Sequence, residues 1–282
     1  TSVREHSSVY DGNSDIKLSH FFGNGNNWNI GNSTYAARKE IPGPETSLTT
    51  GIQKDFDNNL SFNVSFPSIN QSLKLDGNAA WLSNTRFYEE QTESRHYVNS
   101  FILSSAADFY KYERFQQAAG ITLNVTHLNS TDDGIHTLFS GTFKETSRFF
   151  LNDIFSVTVP LSIKFSGKNI AFIPKLGIRA SFKYAAIMLN GYRMVQFPNM
   201  DDLYWGDSSY ACGNPDLTPE YGWGAECTVN AHNIFIPFSI CVFTNYYTNK
   251  IQWSSNSSGK WMPQNVASAF SLVLEKKKKK TF

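Results

Sequence analysis

The stretch Tyr192–Glu226, YRMVQFPNMDDLYWGDSSYACGNPDLTPEYGWGAE, decides how the rest of this chain is read. Its first residues close an alternating, strand-like segment. A polar and aromatic loop follows. Gly213-Asn214-Pro215-Asp216 then turns the chain back, because Gly frees the backbone, Pro fixes one dihedral and Asn and Asp bond their own backbone. Alternation resumes at Trp223, so the stretch reads as strand, long exposed loop, strand. The loop region gathers Tyr192, Arg193, Phe197, Tyr204, Trp205 and Tyr210. Flat aromatic area beside a guanidinium is what binding surfaces use as anchors. A self-packed loop, or aromatics at a membrane interface, explains the same composition equally well.

Outward from this stretch the recurring pattern is period two. Leu60, Phe62, Val64 and Phe66 alternate with Ser61, Asn63 and Ser65. Val157, Val159, Leu161, Ile163 and Phe165 alternate with Thr158, Pro160, Ser162 and Lys164. Ile121, Leu123 and Val125 behave the same way, as do Ile234, Ile236, Phe238, Ile240 and Val242. One apolar and one polar face is the strand signature. About a dozen strands are expected, over 15–22, 28–38, 60–66, 73–88, 96–110, 115–127, 137–150, 155–165, 170–182, 184–192, 223–231, 234–253 and 266–274. The segment around Ser105 to Arg114 is the most helix-like and still reads as strand.

Charged residues make up 17% of the 282, aromatics 15%, and the net charge is +1. That balance gives no basic surplus for nucleic acid and is too aromatic for a disordered chain. No apolar run of about 18 residues suggests a transmembrane helix, but barrel strands alternate and leave no hydropathy peak, which suits a mean hydropathy of −0.35. Cys212, Cys227 and Cys241 form no CxxC pair, so zinc and dithiol redox chemistry have no support. Cys212 and Cys227 flank the turn; a bridge between them and two unpaired thiols are equally compatible with the sequence.

Enzyme signatures are missing: no GxSxG, HExxH, Walker loop or Rossmann fingerprint occurs. The six histidines are scattered singly. Asp132-Asp133-Gly134 reads as a turn; calcium stays open as an alternative, although one acidic pair falls short of a full oxygen shell, and nothing brings the pairs Glu89-Glu90 and Asp201-Asp202 together for acid–base work. The reading is a non-enzyme without cofactor or metal. The seven Asn-x-Ser/Thr triplets are read as chance in an Asn- and Ser-rich chain, since Asn59 and Asn63 fall inside a strand pattern.

Connections come in two sizes. Gly23–Asn27, Gly167–Asn169 and Ala231–Asn233 are short; Lys39–Asp57, Tyr192–Gly222 and Ser254–Asn265 are long and polar. Short turns on one side and long loops on the other is the outer-membrane barrel habit. A soluble, secreted β-sandwich serving binding or adhesion is the competing architecture, with more even loops. In a barrel, Pro160 costs a ladder bond and is expected near a rim or bulge. Lys276–Lys280 is a like-charge run, so strand structure is expected to stop near Glu275 and residues 276–282 to form a disordered, Lys-rich tail.

Four segments, in order, resemble the TonB-dependent outer-membrane receptor family. Arg38–Asp55, RKEIPGPETSLTTGIQKD, is similar to its "PG…T..a.Qkd" loop. FIPKLGI, starting at Phe172, resembles its "lP.lG". The opening stretch, with DLY, GNPDLTPE and the Gly and Glu that follow, resembles "P…DLY…GNPdLkPE…E.G". Ile251–Val266, IQWSSNSSGKWMPQNV, is similar to "I.W….g.w.P.Nv" of the cobalamin-receptor-like branch. The likeness spans roughly Trp28 to Glu275. It implies an all-β fold: an antiparallel transmembrane β-barrel section (1–275) in a bacterial outer membrane, with short periplasmic turns and long extracellular loops. It implies outer-membrane lipid as surroundings and a scarce large solute, of the cobalamin or ferric siderophore class, as small-molecule ligand. Arg193, Tyr204 and Trp205 are then the expected ligand contacts. Family members reach TonB through a plug domain, which has no counterpart here. Thr228 replaces a family Gly, and the Lys run falls where another strand is expected. A fragment not competent to transport alone is the expectation, with a frameshift in a Lys-codon tract as its suggested origin.

Overall fold

The structure, a computed structural model, describes residues 6–41, 50–67, 69, 72–90, 93–112, 114–232, 235, 237–266 and 268–278. Most of the PG-containing loop, the residues Ile234 and Ile236, and the chain after Lys278 lie outside the described residues.

Period-two sequence becomes one long meander. The strands are β1 (Val9–Phe21), β2 (Asn27–Glu40), β3 (Ile52–Phe66), β4 (Leu73–Glu89), β5 (Glu93–Tyr112), β6 (Phe115–Ser130), β7 (Gly134–Phe150), β8 (Phe155–Ser166), β9 (Asn169–Ser181), β10 (Ala185–Gln196), β11 (Glu220–Ala231), β12 (Phe238–Thr248), β13 (Lys250–Ser255), β14 (Trp261–Val266) and β15 (Ala269–Lys278), with a single helical turn, α1 (Met200–Tyr204). Thirteen strands form one sheet in the order β1 to β12 and then β15, while β13 and β14 make a separate hairpin. Each neighbouring pair in the sheet is antiparallel.

Register puts the apolar residues of successive strands opposite one another. One row runs Leu18–Ile30–Phe62–Ala79–Leu103–Leu123–Gly141–Phe165–Ile170. The row beside it holds Leu60, Trp81, Phe101, Val125 and Phe139. These side chains stay open to their surroundings: Phe101 is 53% exposed and Leu103 48%. A sandwich buries such a face against a second sheet; here no second sheet covers it among the described residues, so the sandwich reading fails. An uncovered apolar band with aromatics at its edges is what lipid chains require of a barrel wall. Phe87 against Tyr97 (5.6 Å) and Phe115 against Phe149 (5.0 Å) are two such edge pairs.

The other face is polar. Asn78 Nδ2 donates to Asn63 Oδ1 at 2.7 Å and Asn63 Nδ2 to Asn29 Oδ1 at 3.0 Å, a ladder of amides across three strands. Buried Asp55 accepts from Lys39 Nζ at 2.6 Å and from Gln53 Nε2 at 2.7 Å. Gly141 marks the tightest contact on the apolar face: a Cβ there would sit 2.6 Å from the Phe165 ring and 2.8 Å from the Thr122 carbonyl oxygen.

Strand direction sorts the connections onto two sides. One side carries 22–26, 67–72, 113–114, 151–154, 182–184 and 232–237. The other carries 41–51, 90–92, 131–133, 167–168, 197–219 and 249–268. All long loops share a side, as expected, but the short turn at 167–168 joins them there. Two expectations change. Pro160 is not at a rim: it sits mid-strand, and pairing of β8 with β9 lapses between Thr158↔Gly177 and Leu161↔Pro174 with the register unchanged. A missing N–H is thus tolerated as a gap in one ladder while β7 still pairs on the other flank (Thr146↔Pro160). The strand at the C-terminal end also outlasts Glu275, pairing Lys276, Lys277 and Lys278 with Ile240, Ser239 and Phe238. These three positions fall at the short-turn rim.

Candidate functional site

The long-loop side carries a cap built from 197–219 and the β13–β14 hairpin. Its first part nucleates locally. Asn199 caps α1, accepting from the Asp202 backbone N–H at 2.7 Å, and the Asp202 carboxylate accepts from the Asn199 N–H at 3.3 Å. This reciprocal box satisfies two helix-end donors and stops the turn from unravelling. The other Asp202 oxygen accepts from the Trp253 indole N–H at 3.1 Å, so one carboxylate ties α1 to β13. Trp205 meets Trp253 edge to face at 6.1 Å.

The second part closes on the hairpin. Cys212 N–H donates to the Trp261 carbonyl at 3.0 Å, and Trp261 N–H to the Tyr210 carbonyl at 2.8 Å. Asn214 Nδ2 donates to the Pro263 carbonyl at 3.0 Å. Asn265 accepts from the Thr218 N–H at 2.9 Å and donates to the carbonyls of Thr218 and Asn249, both at 2.9 Å. Leu217, 2% exposed, and Pro263 are the buried plug of this small core. Beneath it, Glu220, 5% exposed, accepts from the Ile251 N–H at 2.8 Å. Gly213 cannot be replaced cheaply, since a Cβ would lie 2.6 Å from the Trp205 nitrogen.

The cap is also fastened to the wall. The hairpin between β6 and β7 presents Asp133, whose Oδ1 accepts from the Gly206 N–H at 2.7 Å. Tyr204 stacks on His136 at 3.8 Å with planes 8° apart. A Cβ on Gly206 would meet the Asp132 carbonyl oxygen at 2.5 Å, so close approach demands glycine there. On the outside of the cap stand Trp205 (44% exposed), Tyr210 (66%) and Trp261 (53%), with a Lys260–Asp207 ion pair among them.

Of the residues singled out from sequence, Tyr204 and Trp205 thus belong to one unit. Arg193 does not join them. Its register, opposite Trp223, places it on the apolar face with Leu189, and its Nη1 donates to the Phe172 carbonyl at 3.0 Å. The three cysteines are free: Cys227 lies mid-strand opposite Val242, and Cys212 is held in the cap. Sequence reading passed over Asp133, His136 and Asn265, the fasteners. The only local signals were the Asp-Asp-Gly turn and the spacing Asn199-x-x-Asp202. Among the described residues no group of three His, Cys, Asp or Glu could hold a metal ion.

Known proteins share this wall. The siderophore receptor PirA from Pseudomonas aeruginosa superposes with a TM-score of 0.79 over 95% of this chain and 53% of its own, at 14% identity. The chain has the fold of about half of that receptor's structure. The hemophore receptor HasR of Serratia marcescens gives a TM-score of 0.78 over 94% of this chain and 51% of its own, at 10% identity. The FrpB iron transporter of Neisseria meningitidis gives 0.78 over 96% and 50%, at 11% identity. The chain spans about half the length of these proteins. In sequence, it is 32% identical over 96 residues to the vitamin B12 transporter BtuB of Photobacterium profundum, covering 33% of this chain and 15% of that protein. No family model matches the chain. The proteins it resembles are named as a vitamin B12 transporter, siderophore and hemophore receptors and an iron transporter.

Proposed function

We propose that this receptor section forms wall and extracellular cap of a transporter that takes up a scarce large solute, cobalamin first and a ferric siderophore second. The observation that carries the reading is the cap: an ordered aromatic and polar surface, fixed to the wall at Asp133 and His136, on the side where a solute arrives. Tyr204 and Trp205 set its shape, and Trp205 offers open aromatic area of the kind that anchors a bound partner. Cobalamin is favoured by the Ile251–Val266 segment and by the likeness to a vitamin B12 transporter. The solved receptors of similar fold are named for siderophores, heme with its hemophore, iron and copper, so the siderophore class stands second. The thirteen-stranded sheet supplies the wall, and 197–219 with the β13–β14 hairpin the cap; energy coupling would come through a plug domain and TonB.

Uptake of labelled cobalamin and of labelled ferric siderophores, in a host lacking its own receptors and expressing the complete receptor, tests this. Cobalamin accumulation is expected, and Trp205→Ala is expected to weaken binding about tenfold, the effect of losing ~1.4 kcal/mol from an aromatic anchor. Siderophore uptake alone would reverse the order of the two solutes. Accumulation of neither would remove the uptake reading.

A further inference from the structure

The apolar face between β9 and β12 is not smooth. Leu176, Gly191, Ala225 and Thr244 lie opposite one another across four strands, and the adjacent row is Ile178–Leu189–Cys227–Val242. The small residues leave an open groove of about 420 Å³, walled by Leu176, Ile178, Leu189 and Val242. The dent is not forced by packing: a Cβ on Gly191 would meet nothing within 4 Å. Two residues further toward the capped side, on the same face, stands Arg193. No other charged residue occupies this face on β9 to β12. Its own row continues with Trp223, 59% exposed, and Tyr246, 47% exposed. Trp and Tyr in such a row mark the level of the lipid headgroups.

Why the guanidinium sits there follows from the strands. Pairing of β9 with β10 ends at Tyr192↔Lys175, and the next position on β9 is Pro174, which has no N–H to continue it. The strands part, and Arg193 Nη1 satisfies the Phe172 carbonyl beyond the break at 3.0 Å. The Tyr221 ring lies 5.1 Å from the guanidinium carbon. The guanidinium has five N–H donors in a fork suited to phosphate, and this carbonyl uses one of them.

We propose that this face is a binding site for a phosphate-bearing lipid of the outer leaflet, with the phosphate on Arg193 and one acyl chain in the groove over Gly191 and Ala225. Charge complementarity selects the occupant: a cation at headgroup level ends a channel that accepts only hydrocarbon. The inference depends on the membrane barrel and not on which solute the receptor takes up.

Native mass spectrometry tests it on the full chain, expressed into a bacterial outer membrane and extracted in nonionic detergent. Phosphatidylglycerol is titrated against a diacylglycerol with the same acyl chains, with inorganic phosphate as a third arm. The wild type is expected to retain phosphatidylglycerol at least ~10-fold better than diacylglycerol, the scale of a charge-assisted bond. Arg193→Gln keeps a donor for the Phe172 carbonyl and removes the charge; it is expected to bring the two lipids level. Gly191→Leu fills the groove in open space and is expected to lower retention of both lipids. Equal retention of the two lipids by the wild type overturns the phosphate contact, and so does unchanged selectivity in Arg193→Gln. Inorganic phosphate competing as well as the lipid overturns the role of the chain, as does unchanged retention in Gly191→Leu. A doubled, lipid-free mass would assign the groove to a second copy and overturn the proposal.

Discussion

The wall and the cap are held together by opposite means. In the wall every strand is bonded to its neighbours along the ladder, and among the described residues no second layer covers the apolar face; pairing of every backbone group is what a lipid medium demands of such a wall. In the cap the ladder is confined to the β13–β14 hairpin, and single side chains tie the parts together: Asp202, Asp133, Asn214 and Asn265, each joining segments far apart in the chain. A repeating solution tolerates local loss, as the gap beside Pro160 shows. A solution made of unique contacts does not.

Breaking the wall is expected to have the largest effect. Leu103→Arg, in the middle of the apolar row, is expected to cost about 2–4 kcal/mol and to abolish the heat-modifiable gel migration of a folded barrel. Gly213→Ala follows, at about 1–3 kcal/mol of overpacking. Hydrogen exchange over 197–219 is expected to rise sharply while migration of the barrel band stays normal. Were the band also lost, cap and wall would be one cooperative unit and the contrast would fall. Asp202→Ala removes the helix box and leaves the Trp253 indole unpaired, at about 1–2 kcal/mol; a red-shifted Trp emission with an intact barrel is the expected signature. Lys260→Ala is expected to change thermal stability least, within ~0.5 kcal/mol, because Asp207 is 81% exposed and exposed ion pairs contribute little.

The same contrast explains what the sequence disclosed. The wall was legible because alternation is a repeated signal: strand after strand from β4 to β11 was located to within a few residues. The failures come where one residue decides. The segment 234–253 reads as one strand, but Asn249 takes a positive φ of 54° and ends β12 at Thr248, so that Lys250 begins a hairpin instead. Asn is among the few residues that accept this region, and nothing in the alternation announces it. Ser254–Asn265 reads as one long polar connection, yet it holds most of a hairpin, and Pro263 is tolerated in its second strand because that strand needs pairing on one flank only. For the site, composition marked Tyr204 and Trp205 as a group but could not show that His136 and Asp133, some seventy residues earlier, hold them. Arg193, near them in sequence, stands on β10, where strand parity puts it on the apolar face.

The lapse beside Pro160 has a mechanical meaning. If the chain is drawn out of a membrane by one end, antiparallel hairpins leave in turn, each resisting through its remaining bonds. Where Pro160 and Pro174 thin the β8–β9 ladder, and pairing of β9 with β10 stops at Lys175, the pulling force is expected to dip. A force trace of extraction would then show its weakest step at this hairpin, and any stepwise entry of the wall into lipid would find there its natural pause.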